Sequence, residues 1–399
     1  MPHTASYITA HIKPSCLQLH FVCDVDDLEV ATRAVEPLLS APATLADCSI
    51  RLGQQPNAVL QDLAFQTATR ATGCHVDKPK SLFRFLDLPQ ELRRQILEYT
   101  DLVTPLCEVE WNPEKGFYLR YSTWRCGGIW DCPSELHYAC QFRNCWQYSS
   151  VRCFCRRYHS AYWSKCNCWT PPTSWFLACH ALRKDAQAIF FMKNRFIITP
   201  AKGCNRVADG TPARLEVSVF LTKIVPPNAL CFLTYLEVVF PPYDEDYLRS
   251  CEPAYLDWLQ VIDYVKDKLY LPTLTLRIHM ADHYPSGQDV TPFRSNMSKK
   301  QGMTIIAMYG RTLRPLSRLS GMDRFFVHLA WPFAWTRSGR RGRRENPEFV
   351  NQQIATMEQQ IERLVMGNDY NSMLLNKKKQ GNSQWLQESL ASTMYGGYC

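Results

Sequence analysis

Several familiar features are missing from this sequence. It has no run of about 18 apolar residues, so no membrane-spanning helix is expected. The opening Met1-Pro2-His3-Thr4-Ala5 lacks the basic start and apolar core of a secretory leader. Neither kind of glycine-rich phosphate loop is present, dinucleotide-binding or lysine-ended. The nucleophile-elbow serine and the paired-histidine helix of metalloproteases are also missing. These absences favour a protein that is not an enzyme, although an active site assembled from distant residues would leave no motif. Charge of one sign is scarce too. The net charge is +8, from 45 Lys+Arg against 37 Asp+Glu in 399 residues, and a nucleic-acid binder usually gathers more basic charge on one face. Only one dense basic run exists, Arg337, Arg340-Arg341 and Arg343-Arg344. It reads first as a solvated loop and second as an import or phosphate-contact patch.

What is present is a globular composition, 46% hydrophobic and 12% aromatic, enough to exclude wholesale disorder. Without a leader or membrane span, the expected setting is cytoplasmic or nuclear. In that reducing compartment the 18 cysteines would not form a disulfide framework.

Hydropathy spacing predicts a mixed fold, α+β and α/β, in six stretches. Residues 1–80 form a small α/β segment, with strand signals at Leu17–Cys23 and Ser49–Leu52 and helical spacing over Asp26–Leu39 and Asn57–Thr72. Residues 81–103 hold a short amphipathic helix, with Asp87 as its cap and Pro89 in its first turn. Residues 104–172 are rich in Cys and Trp. Residues 173–200 return to a helix and end in a strand at Arg195–Ile198. Residues 201–336 alternate helix and strand, with strands at Leu233–Phe240, Leu274–Met280 and Phe325–Ala330. There Leu236, Leu276 and Phe326 recur too loosely for a regular leucine-rich repeat, so the stretch reads as a degenerate, loosely repeat-like α/β array. Residues 337–399 hold the basic loop, a helix through Val350, Ile354, Met357, Ile361 and Leu364 that stops at Gly367 and packs back on the body, and a loosely ordered tail.

The helix near residue 90 is the most informative element. Its string Phe83-Arg84-Phe85-Leu86-Asp87-Leu88-Pro89-Gln90-Glu91-Leu92-Arg93-Arg94-Gln95-Ile96-Leu97-Glu98-Tyr99 resembles the opening helix of an F-box. The features in common are a leucine and proline at the start, an acid–leucine pair next, and an isoleucine–leucine pair one turn on. The later Trp175-Phe176-Leu177-Ala178-Cys179-His180-Ala181-Leu182-Arg183 resembles the closing F-box helix. The whole is similar to fungal F-box-like proteins whose box is split by a cysteine-rich insertion and which end in a phenylalanine pair leading to an asparagine, here Phe190-Phe191-Met192-Lys193-Asn194. The resemblance implies that Leu88, Pro89, Leu92, Ile96 and Leu97 bind a Skp-type adaptor of a cullin ubiquitin ligase by helix-in-groove docking. Read from the residues alone, the same stripe could equally face the protein's own core.

Eight cysteines fall between Cys126 and Cys168. With two histidines they give ten candidate metal ligands: Cys126, Cys132, His137, Cys140, Cys145, Cys153, Cys155, His159, Cys166 and Cys168. Two tetrahedral zinc sites would need about eight ligands, and zinc could order a loop with little core of its own. The expected role is structural. The pairs are not spaced as in a zinc ribbon, so packed thiols and redox-active pairs stay open as alternatives. His180, His279 and His328 lie in apolar contexts where a satisfied core histidine is the default.

The expectation is therefore an F-box-like adaptor or scaffold that recruits an unknown client and does no chemistry itself. The competing expectation is a zinc-dependent nucleic-acid-binding or regulatory module, whose binding would weaken steeply with salt.

Overall fold

A computed structural model describes residues 16–25, 27–39, 45–74, 84–104, 107–119, 154, 156, 159–164, 169, 171–200, 213–240, 248–280, 299–329 and 347–375. The chain divides into two units, one from residues 1–85 and 121–170 and the other from residues 86–120 and 171–399.

The first unit is a three-stranded sheet backed by two helices. Strand β1 (Gln18–Val22) and β2 (Asp47–Gly53) are parallel, joined through helix α1 (Leu28–Leu39), the short βαβ unit that parallel pairing requires. Helix α2 (Ala58–Ala71) is capped by Asn57, whose side chain accepts from the Val59 and Leu60 amides, because the first helical N–H groups lack internal partners. Ala31 and Val35 of α1 and Leu60, Ala64 and Ala68 of α2 pack on Cys48, Ile50 and Leu52. The small alanines let the helices lie close to the strand. Burial, with the Asp47 charge adding to it, pushes the Cys48 thiol up to about 12, so this cysteine is a packing residue and not a nucleophile.

The third strand of this sheet is a finding of the structure. Strand β5 (Ser160–Tyr162) pairs antiparallel with β2, so the end of the expected 104–172 insertion belongs to the N-terminal sheet. The start of that insertion belongs to the second unit. Strands β3 (Glu108–Asn112) and β4 (Gly116–Tyr118) form a hairpin there.

The second unit is a six-stranded sheet in the order β4-β3-β6-β7-β8-β9, with β6 (Arg195–Ile198), β7 (Tyr235–Phe240), β8 (Thr275–Met280) and β9 (Arg324–Leu329). All its pairings are parallel except the β3–β4 hairpin. The sequence expectation for β6–β9 holds to within two residues. In register across β7, β8 and β9 stand Leu236, Leu276 and Phe325, while Phe326 lies on the opposite face. From β6 to β9 each new strand lies beside the one before it. With right-handed crossovers this places the connecting helices on one face. That face is apolar: Trp111 and Phe196 meet Phe220, and Phe240 meets Trp258 of helix α7 (Pro253–Val265). Helix α6 (Glu216–Val219) precedes β7, and helix α8 (Lys299–Leu313) precedes β9.

Helix α9 (Pro347–Met366) packs on β9 with Ile361 and Val365 buried, as expected. It stops at Gly367, whose φ of 101° is a backbone conformation that side-chain-bearing residues rarely adopt.

Candidate functional site

Helix α3 (Gln90–Glu98) follows a short turn, Phe85–Asp87. The expected cap is corrected here: Asp87 lies in that turn, and the N-cap is Pro89, which makes no side-chain cap bond. The helix is held from below instead. Asp185 lies in helix α5 (His180–Lys193) with its carboxylate almost fully enclosed. Gln90 Nε2 donates to it at 2.7 Å, Arg93 Nε and Nη2 at 2.8 Å, and Arg94 Nε at 3.3 Å. Burial by itself would raise the Asp185 pKa. The bonds from Gln90 and Arg93 and the charges of Arg93 and Arg94 outweigh it and hold the carboxyl below its ordinary value. Arg93 Nη1 also donates to the Leu88 carbonyl at 2.8 Å, so one guanidinium ties the entry turn, α3 and α5 together. Such planar, multidentate use is what arginine allows and lysine does not.

The five residues expected to bind a partner divide. Leu97 is 0% exposed and belongs to the core of its own unit, whereas Leu92 is 46% and Ile96 42% exposed. Pro89 is exposed and Leu88 half-buried. Tyr99, at 93%, and Leu86 extend the open apolar stripe. Sequence spacing placed Leu88, Leu92, Ile96 and Tyr99 on one helical stripe, with Leu97 widening it. It could not tell that the carboxylate of Asp185 would turn the Arg93–Arg94 face inward.

The closing segment meets the opening one. Helix α4 (Thr173–Leu177) packs on α5, which is N-capped by Cys179. Phe190 and Phe191 are buried, and Phe190 contacts Phe196 of β6. Asn194, ending the phenylalanine-pair motif, is 1% exposed. Its Nδ2 donates to the Leu102 and Phe190 carbonyls at 2.7 and 2.8 Å. Its Oδ1 accepts from the amide and hydroxyl of Thr104 at 2.9 and 3.0 Å. This one amide therefore joins the chain just after α3 to the end of α5.

The sheet face opposite the crossovers carries a polar ladder that sequence reasoning missed. Glu237 of β7 lies in register with Arg277 of β8, and Arg277 with Phe326 of β9. Arg277 and Glu237 are both fully enclosed. The Arg277 guanidinium lies 5.3 Å from the Phe326 ring centroid and 6.0 Å from that of Tyr235. Tyr235 donates to Glu237 at 3.0 Å. Burial, reinforced by the Glu237 charge, raises the Tyr235 phenol well above its ordinary pKa. His279 Nε2 lies 3.0 Å from Glu237 Oε1, close enough for an ion pair when the ring is protonated but not angled for a well-formed hydrogen bond. The His279 ring stacks on His328 at 4.5 Å. Farther along, Tyr118 donates to Glu110 at 2.8 Å. The readable signal was a period of two, as in Tyr235-x-Glu237 and Arg277-x-His279, inside strands that otherwise read as wholly apolar. The arrangement fixes charges in an enclosed layer, which makes a sheet rigid and specific more than it makes it reactive.

Of the ten candidate metal ligands, Cys126, Cys132, His137, Cys140, Cys145, Cys153, Cys155, Cys166 and Cys168 lie outside the described residues, as does the basic run at Arg337–Arg344. Among the described residues no group of Cys, His, Asp or Glu converges as a metal site would. His159 is described. Its Nδ1 lies 2.9 Å from the Gln54 carbonyl. A carbonyl can only accept, so this bond places a proton on Nδ1; in the neutral ring that leaves the lone pair on Nε2, the tautomer that metal-bound histidines commonly show. No helix among the described residues is long and apolar enough to cross a membrane. Compared with protein families, curated proteins and solved structures, the chain matches none.

Proposed function

We propose that this chain is an F-box-like adaptor that offers α3 to the groove of a Skp-type adaptor of a cullin ubiquitin ligase. The observation that carries the reading is the split behaviour of one short helix: Leu92 and Ile96 remain open while Leu97 and the Arg93–Arg94 face are anchored inward. A helix held rigidly by its back face loses little further freedom on docking, which favours binding. The packing of α3 against α5, two segments far apart in sequence, fits a box whose halves come together despite an insertion. On this reading the β6–β9 array is a loosely repeat-like scaffold that carries the client-binding surface. The Cys/His-rich stretch is a structural zinc module with His159 Nε2 among its ligands. The protein itself catalyses nothing.

Co-expression with a Skp-type adaptor tests this. Wild type should retain the adaptor through affinity purification, and L92D/I96D should lose it while unfolding at the wild-type temperature. Failure of the wild type to retain it would remove the ligase role.

A further inference from the structure

Strand β9 is the last strand of the six-stranded sheet, with β8 on one side. A bare strand edge presents alternate N–H groups that another chain can pair with. Here each of those groups meets a side-chain oxygen from the C-terminal segment. The Phe325 amide donates to Tyr370 Oη at 2.9 Å, the Val327 amide to Glu362 Oε1 at 3.0 Å, and the Leu329 amide to Glu358 Oε1 at 2.9 Å. Tyr370 Oη also donates back to the Phe325 carbonyl at 2.6 Å, so this phenol copies both halves of a strand pairing. Glu358 and Glu362 stand one helical turn apart, about 6 Å along α9, close to the two-residue repeat of roughly 6.6 Å along a strand. That near-match lets one helix face supply successive acceptors. Glu362 is 0% exposed, and Ser372 donates to its other oxygen at 2.5 Å, which fixes the carboxylate's direction.

Glutamate is an unusual residue to enclose, since its charge must be matched by hydrogen bonds. An apolar residue would pack α9 on β9 without that demand, but it would leave the amides unmet. We propose that Glu358, Glu362 and Tyr370 stand in for a missing strand, and that they keep β9 from pairing with β9 of a second copy of this chain. The second copy is the favoured occupant because the strand is self-complementary. Antiparallel pairing about a two-fold axis at Val327 sets Val327 against Val327 and Phe325 against Leu329, all outward-amide positions with apolar side chains on one face. It also keeps the two Arg324 charges at opposite ends.

The test compares solution mass by light scattering for wild type, E358A/E362A and E358Q/E362Q at equal concentrations. The alanine pair should show a concentration-dependent doubling of mass. The glutamine pair keeps amide oxygens as acceptors and should match wild type. Hydrogen exchange should place new, concentration-dependent protection on the Val327 and Leu329 amides of the alanine pair, which lose their glutamate acceptors. An alanine pair that folds cooperatively and keeps the wild-type mass would overturn the proposal, as would doubling without that protection. If the alanine pair does not fold, the single E358A replaces it. Glu358 is only half-buried, so the variant opens the Leu329 amide alone. It should self-associate more weakly than the alanine pair, at concentrations where wild type stays monomeric, and an unchanged mass would overturn the proposal equally.

Discussion

Arg93 reaches Asp185 across 2.8 Å although the two are 92 residues apart in the chain. This contact fixes which face of α3 is open. Replacing Asp185 with alanine leaves Arg93 and Arg94 beside an apolar gap and removes the acceptor of Gln90. Breaking a buried ion pair from one side costs about 3 kcal/mol or more. D185A is expected to lose roughly that much in urea unfolding, and R93K to fall between it and wild type because lysine cannot also hold the Leu88 carbonyl.

The same carboxylate sets an acid limit. Its folded pKa lies below the ordinary value of 3.8, so the unfolded chain takes up a proton there first. The stabilisation is fully present above about pH 4 and is lost as the pH falls through the lowered folded value. From about pH 5 to neutrality it contributes almost no slope. Denaturation midpoints measured from pH 7 to pH 2 should fall more steeply at the acid end for wild type than for D185N, whose curve starts lower and runs flatter.

Leu97 and its neighbours on α3 should behave oppositely. L97A opens a cavity at a fully enclosed position and is expected to cost about 2–5 kcal/mol. L92D/I96D changes exposed positions and should stay within about 1 kcal/mol of wild type. Parallel denaturant titrations check both, and a large loss in L92D/I96D would mean that the stripe is needed by its own fold.

Asn194 offers a sharper contrast. Aspartate has the same shape but no N–H group, so N194D would set a carboxylate oxygen against the Leu102 and Phe190 carbonyls in an enclosed site. N194D should be more damaging than N194A, by about 1 kcal/mol or more. Thermal unfolding of the two variants side by side gives the order.

Where a short apolar run stands out from its flanks, the element was legible: β6 begins and ends where its run Arg195–Ile198 does. Strand β3 was missed although Glu108 and Glu110 alternate with Val109 and Trp111, because it opens a stretch read as a Cys-rich insertion and nothing nearby in sequence reveals that Tyr118 will donate to Glu110. Strand β5 was hidden for a similar reason. It is three residues long, sits in a cysteine-dense stretch, and owes its place to β2 and to the bond from Ser160 to the Gln55 carbonyl, 105 residues away. The apolar stripe was visible as a helix face, but its exposure depended on Asp185, a long-range fact that periodicity does not encode.

Metal content gives a further check. On the zinc reading the purified full chain carries tightly held zinc, and a strong chelator lowers its thermal midpoint in a way that added zinc reverses. Atomic absorption with a paired melting curve decides it. A metal-free preparation with an unchanged midpoint would remove zinc from the account.

The long separation between Arg93 and Asp185 also has a cost during synthesis. At about 5–20 residues per second, a ribosome needs roughly 5–18 s to travel from one to the other. For that interval α3 has left the ribosome without its anchor, and Leu97 has no core to enter. A nascent chain in that state shows chaperones both sides of a helix that the finished protein shows on only one.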